Sequence, residues 1–243
     1  MEVTGHRLRV IRSFTVRKVA GEYKNEDFAA LSDRKGIYAL SDGASISFDS
    51  ASWARIAAVN FVRAPQVTRD WMAEAIGSFV KLYDRDALAW MAQAAFDRGS
   101  FASLLGIQLH DLNSLEVFAI GDSEAFLCDD VSIVAMFPYS LSTQFSDSPL
   151  LLSTDPSKNS FLVEENYPMT RTVYWDLTNM TAPAVYCMTD ALAQWVLQQK
   201  EEGNQPIRLL QSIRRARQFE NFVNKERASG RMKRDDTTLF VLA

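Results

Sequence analysis

The residues best equipped for chemistry in this 243-residue chain are acids placed at the ends of apolar runs. Glu26 and Asp27 precede "FAALS", Asp42 closes "GIYALSD", Asp122 follows "EVFAIG", Asp190 follows "AVYCMT", and Asp235 with Asp236 precedes "TTLFVLA". Runs of this kind read as strands, and strands laid side by side bring their ends to a common edge. Carboxylates gathered there form an oxygen-only donor set, which suits Mg²⁺ or Mn²⁺. Gly43, directly after Asp42, lets the backbone come close to whatever that carboxylate meets. Asp and Gly also favour turns in their own right, so each acid taken singly fits a plain strand end at least as well.

Other chemistries find less support. The only histidines are His6 and His110, too few for a His-rich zinc site, and each reads as a surface or strand residue rather than a ligand or general base. Cys128 and Cys187 sit in apolar stretches without a C-x-x-C spacing, as reduced packing residues do. A G-x-S-x-G nucleophile turn is absent. The formal net charge of -4 argues against nucleic acid as a partner, because phosphate backbones are held by clustered Lys and Arg. No apolar run approaches the roughly 20 residues that span a bilayer, and the N-terminus lacks a signal-peptide core, so a cytoplasmic protein without membrane contact is expected.

The elements that must position these acids follow from periodicity. Strands are expected in "RLRVIRSFTV", "DFAALSD" and "GIYALSD", the first two separated by a polar turn around Gly21 to Asn25. A helix carrying Trp53, Ile56, Ala57 and Phe61 on one face follows. A second, long helical segment repeats from Met72 through Ile76, Phe79, Val80, Tyr83, Ala87, Trp90 and Met91 to Ala94, all read as core contacts. From Ser100 onward "FASLLGIQLH", "SLEVFAIGDS", "AFLCDD" and "VSIVAMF" read as an antiparallel meander. Residues 138–172 are rich in Ser, Thr, Asp, Asn and Pro, as an irregular insertion or flap would be. The strand "AVYCMTD", the helix "ALAQWVLQQKEE", a helix from about Ile207 to Ala228 and the strand "TTLFVLA" close the chain. This order fits one α+β domain over residues 1–243, a four-layer α-β-β-α sandwich of two antiparallel sheets flanked by helix pairs.

Taken in order, "NEDFA", "SDGAS", "GSFAS", "AIGDSEAFL", "MTDALAQWV" and "DDTTLFVL" resemble the motifs of the metal-dependent protein serine/threonine phosphatases of type 2C, over residues 25–242. The resemblance implies a centre of two, or three, Mn²⁺ or Mg²⁺ ions that activates water against phosphoserine and phosphothreonine. It makes Asp42 the bridging ligand, with the Gly43 carbonyl beside it. Asp190 and Asp235 become the other central ligands, Glu26 and Asp27 the supporting acidic pair, and Asp122 the position of a third, weaker ion. Asp42, Asp190 and Asp235 are then the catalytic set. It also implies a monomer whose partner is a phosphoprotein, either a cognate serine/threonine kinase or that kinase's target. Such phosphatases carry an arginine three residues before the Asn of "NED" to grip substrate phosphate; Glu22 stands there and would repel it. Lys24 is the candidate to hold phosphate instead, with Lys18 or Arg17 as substitutes. Ala191 replaces the usual glycine after Asp190, which fits if a helix begins at once. Phe101 in "GSFAS" replaces a smaller residue and is expected in the core.

Two other readings remain open: a catalytically silent phosphatase-like module that binds or regulates a partner, and a metal-dependent hydrolase of small phosphate esters. The insertion would select substrate or simply be a solvated loop. The basic run Arg214, Arg215, Arg217, Lys225, Arg227, Arg231, Lys233 and Arg234 reads as a solvated helix face or an acidic-partner dock, with Lys233 and Arg234 able to draw an anion toward Asp235.

Overall fold

Strands that are buried along their whole length need cover on both faces, and two such strands form the centre of this protein. In the computed structural model, which describes residues 8–19 and 24–243, Pro183–Met188 and Thr237–Leu242 are buried at every residue. Numbered in chain order, the strands are β1 (Val10–Val16), β2 (Asp27–Ser32), β3 (Ile37–Asp42), β4 (Phe101–Ala102), β5 (Leu104–Leu109), β6 (Ser114–Ile120), β7 (Glu124–Asp129), β8 (Ser132–Phe137), β9 (Leu152–Ser153), β10 (Thr172–Asp176), β11 (Pro183–Met188) and β12 (Thr237–Leu242). The helices are α1 (Ser50–Arg63), α2 (Arg69–Val80), α3 (Trp90–Arg98), α4 (Asp190–Glu201), α5 (Pro206–Ser212) and α6 (Ala216–Ala228).

One antiparallel sheet has the order β1-β12-β11-β7-β8 and the other β10-β6-β5-β3-β2; β4 and β9 pair apart from both. Alternation along each strand sorts side chains into layers. Val185, Cys187, Phe240 and Leu242 face Tyr38, Leu40, Leu105 and Ile107 between the sheets. Tyr186, Met188, Leu239 and Val241 face outward onto α4, α5 and α6 through Leu192, Val196, Leu210 and Phe219. Trp53, Ala57 and Phe61 of α1 and Trp71, Met72 and Phe79 of α2 cover the second sheet. The expected four-layer α-β-β-α sandwich is the observed one, and both cysteines are buried and free as expected.

Several elements depart from expectation. The long helical segment from Met72 to Ala94 is broken: α2 ends at Val80, and α3 starts only at Trp90. Asp84 accepts from the Asp86 amide and Leu88 and Ala89 are extended, so the register is lost. Trp90 and Met91, expected in the core, are 77% and 67% exposed as a result. The helix expected from Ile207 to Ala228 is likewise two. The Gln218 side chain accepts from the amides of Arg214 and Arg215 and starts α6 anew. Third, the meander does not stay in one sheet: β6 belongs to the second and β7 to the first. The chain changes sheets at Gly121, whose φ of 100° is a conformation that glycine accepts cheaply. β10, which pairs with β6, was not expected at all. Phe101 is half-buried in β4 opposite Ser153 rather than in a core layer.

The buried Arg12 of β1 holds the α5–α6 break from below. Its Nη1 donates to the carbonyls of Leu210, Gln211 and Ile213, each at 3.2 Å. Replacing it leaves three carbonyls without their charged donor, so Arg12→Met is expected to cost about 2–4 kcal/mol in urea unfolding. An unfolding free energy within 0.5 kcal/mol of wild type, roughly the scatter of a surface substitution, would show that water satisfies these carbonyls equally well.

Candidate active site

The strand directions bring the acids to one end of the sandwich. Asp27 opens β2 and Asp42 closes β3, and the antiparallel register sets these two residues directly opposite each other. Like charges in that position repel. Asp122 sits on the turn where the chain crosses between sheets, Asp190 is the first residue of α4, and Asp235 precedes β12. Asp42, Gly43, Asp122, Asp190 and Asp235 line one cleft of about 300 Å³ together with Ala44, Ser45, Ile46, Pro149, Leu151 and Lys233. Asp27, 7% exposed, lies behind Asp42, and Glu26 flanks the cleft through Ser45 and Ser50.

The backbone around this cleft is closely tied. The Gly43 amide donates to the Glu26 carbonyl at 3.1 Å, and a Cβ on Gly43 would lie 2.6 Å from the Ser50 carbonyl oxygen. Only glycine fits that approach. The Ser103 amide donates to the Asp42 carbonyl at 2.8 Å, and the Ser103 hydroxyl is 2.7 Å from that of Ser123, which fastens the end of β3 to the sheet crossing. Thr189 joins the two sheets: its hydroxyl donates to Asp27 Oδ2 at 3.1 Å and accepts from the Thr238 amide at 3.0 Å. Asp236 is not among the residues that line the cleft and clamps two other segments. Its Oδ1 accepts from the Lys18 amide and its Oδ2 from the Glu26 amide, both at 2.6 Å.

Burial raises the Asp27 pKa to about 8, with Asp236 and Asp190 adding to the effect and hydroxyl hydrogen bonds opposing it. Asp27 Oδ1 is buried without a hydrogen-bond partner among the described residues. Burial likewise lifts Asp42 far above the ordinary carboxylate range, helped by Asp27, Asp190, Asp122 and Asp235. Asp122 is lifted to about 6, chiefly by burial and then by Asp190.

Two lysines answer this charge. Lys233 Nζ lies 2.7 Å from Asp190 Oδ2 and 2.9 Å from Asp235 Oδ2. Lys18 Nζ lies 2.6 Å from both Glu26 Oε2 and the Ser45 hydroxyl. As the side chains stand, no group of three or more His, Cys, Asp and Glu among the described residues is drawn close enough together to hold a metal ion. Lys24, the expected phosphate holder, instead lies 3.8 Å from Asp49 with its side chain 79% exposed, and does not line the cleft. Glu22 and His6 fall outside the described residues. His110 stands 3.1 Å from Glu116 on β6, apart from the cleft. Ala191 lies within α4 immediately after Asp190, where its amide donates to Asp190 Oδ1 at 2.6 Å, so no glycine is needed.

The basic run divides. Arg214, Arg215, Arg217 and Lys225 are exposed. Arg227 is half-buried and donates to the backbone carbonyls of Arg17, Val16 and Asp235 and to the Thr237 hydroxyl, fixing the approach to β12. Sequence reasoning missed this role, the Asp236 clamp and the buried Glu124. Glu124 Oε2 accepts from the Tyr139 amide at 2.9 Å, and burial raises its pKa well above the usual range. Its one signal is an acid inside the otherwise apolar run "EAFLC".

Compared by sequence, the chain matches no family model and no curated protein. Compared by structure, it is similar over nearly its whole length to solved phosphatases. A photosystem II phosphatase aligns with a TM-score of 0.60 at 12% identity, covering 97% of this chain and 98% of that one. A Staphylococcus aureus serine/threonine phosphatase aligns at 0.57 and 14%, covering 100% and 96%. A Mycobacterium tuberculosis serine/threonine phosphatase aligns at 0.56 and 14%, covering 97% of each. The chain therefore has the fold of the type 2C (PPM-type) serine/threonine phosphatases. Among the described residues no helix is long and apolar enough to cross a membrane.

The raised carboxyls fix the sign of a pH dependence. Folded Asp27 and Asp122 keep protons that the unfolded chain releases near pH 4, so between about pH 4 and pH 8 rising pH lowers stability. With EDTA present, Tm is expected to fall from pH 5.5 to pH 8.5, and Asp27→Asn to flatten that slope. A Tm that rises over the same range in wild type would show that Lys233 and Lys18 already neutralise the cluster.

Proposed function

We propose that this chain is a metal-dependent phosphatase that hydrolyses phosphoserine or phosphothreonine on a protein substrate. The single observation carrying this reading is the convergence of Asp42, Asp122, Asp190 and Asp235 on one cleft from four separate strand ends. A fold does not by itself define an activity, so the weight rests on this site.

The donor chemistry fits a hard divalent cation. The cleft offers carboxylate oxygens and the Gly43 backbone and no imidazole or thiol. Burial and mutual repulsion hold Asp42 and Asp122 where a cation would relieve them, and the buried, unpartnered Asp27 Oδ1 adds a further unmet acceptor. Asp42, Asp190 and Asp235 would be the central ligands, with the Gly43 carbonyl, Glu26 and Asp27 on one side and Asp122 on the other. Bound Mn²⁺ or Mg²⁺ supplies a Lewis acid and lowers the pKa of its water. The chain's own contribution is to orient these carboxylates through the Ser103, Thr189 and Asp236 hydrogen bonds. Asp42, which burial and its acidic neighbours push well above the ordinary carboxylate range, is a group whose charge a bound cation would offset. Lys233 and Lys18 at the cleft would orient an anionic phosphate ester, with Lys18 rather than Lys24 the nearer of the two candidates. A phosphoprotein, including a kinase or that kinase's target, suits a cleft whose neighbouring Ile46 is 99% exposed and available to a peptide.

A second reading has one observation in its favour. Lys233 and Lys18 form ion pairs with the candidate ligand acids, as lysines would in a silent module that keeps the fold and binds a phosphoprotein without turnover.

Hydrolysis of p-nitrophenyl phosphate and of a phosphothreonine peptide with Mn²⁺, Mg²⁺ or EDTA separates the two. Metal-dependent turnover that falls in Asp42→Ala to the EDTA level is the expected result. Folded protein that turns over neither substrate with either ion, yet binds the phosphopeptide in EDTA, would identify the silent module.

A further inference from the structure

The acids of the cleft outnumber its bases, and the one ammonium lining it is placed in an unusual way. Lys233 bridges two carboxylates that are 45 residues apart in sequence and belong to different elements, Asp190 at the start of α4 and Asp235 before β12. Its position is set by its neighbours. Met232 is 4% exposed and packs in the layer between the first sheet and its helices, which anchors the loop. Arg227 holds the Asp235 carbonyl on the far side. Between these two anchors the Lys233 side chain is directed at the acids, while Arg234 stays exposed. The bridge is a contact of the kind a divalent ion would make, carried out by an ammonium with a single charge.

We propose that Lys233 is an internal counter-cation of this cleft, which a divalent ion must displace or repel in order to bind between Asp190 and Asp235. The inference rests on the metal-dependent phosphatase reading and adds a regulator of ion affinity to it. Displacement is open to Lys233 because its side chain is 52% exposed and its flexible stem can swing into solvent. The ammonium has a definite effect on ion affinity. A positive charge within a few ångströms of a cation opposes its binding, whether the lysine stays or has to be moved. It also offsets charge on Asp190 and Asp235, which line one cleft with Asp42 and Asp122. Lys18 plays the corresponding part against Glu26 and Ser45 at the flank, although there it meets one carboxylate rather than two.

The test is titration calorimetry of the full chain with MnCl₂ alone, at fixed pH and ionic strength and without substrate. Wild type is compared with Lys233→Gln and with Lys225→Gln, an equal charge change on the exposed face of α6. Lys233→Gln is expected to bind Mn²⁺ about tenfold or more tightly, with Lys225→Gln unchanged. Near-ultraviolet circular dichroism reports folding, and Lys233→Met, which keeps the apolar stem, should behave as Lys233→Gln does. Equal or weaker binding in both folded Lys233 variants, with wild type binding Mn²⁺, overturns the inference and leaves the phosphatase reading standing. Binding by the variants but not by wild type supports the inference and overturns catalysis by the native chain. Binding by none of the proteins overturns both.

Discussion

The structure depends on gathering at one edge several acids that burial makes costly to ionise together. Four carboxylates share a cleft of about 300 Å³, and Asp27 lies behind them directly across the ladder from Asp42. Were all of them ionised, such a cluster would push the strand ends apart, because burial weakens the screening that water gives at a surface; the raised pKa values and the Lys233 ion pairs relieve part of that repulsion. The surrounding architecture can be understood as the means of containing that repulsion. Two sheets packed through an apolar layer that includes Tyr38, Leu105, Phe240 and Leu242 fix the strand ends at a set separation, and helices close the outer faces.

Containment is achieved with short polar links at the edge as well as apolar packing in the middle. Thr189 passes a hydrogen-bond chain from Asp27 in one sheet to Thr238 in the other. Asp236 draws the Lys18 and Glu26 amides to the start of β12. Ser103 fastens the end of β3 to the crossing at Gly121 to Ser123. Each link uses a backbone amide or a short hydroxyl, groups with little side-chain freedom to lose on folding. These links hold the frame of the cleft, while the Lys233 side chain at its edge stays about half exposed. That division suits a site that must accept and release charged ligands.

Charge balance also links the fold to its proposed chemistry. A site rich in carboxylates attracts cations and repels phosphate, so an anionic substrate can enter only after positive charge has been installed. The lysines supply part of that charge from within the chain. Exchanging them for divalent ions would convert a self-neutralised cleft into one with electrophilic character, and the same groups would then be free to face substrate.

Much of this was legible in the sequence because it rests on local pattern. Apolar runs ending in acids identified the strands and the candidate ligands, and the order of "SDGAS", "GDSEAFL", "MTDALAQWV" and "DDTTLFVL" indicated the sandwich. Gly43 and Ala191 sit as their local backbone requires, one at a close approach and one inside a helix. What the pattern could not show was which groups meet across the fold. The break between α2 and α3 depends on Asp84 competing for a backbone amide, a contest that helical periodicity does not register. The move of β7 into the other sheet leaves the alternation of its residues unchanged, so nothing in the run "AFLCDD" distinguishes it. Lys24 and Lys18 read alike as basic residues near "NED", but only the tertiary structure turns one toward Asp49 and the other onto Glu26. The sequence by itself determined the kinds of donor available and the strand ends that carry them, since residue type and period are local properties. Their convergence, the burial that raises the pKa values of Asp27, Asp42 and Asp122 and the lysine that bridges Asp190 and Asp235 were decided by tertiary structure, because they depend on distances between residues far apart in the chain.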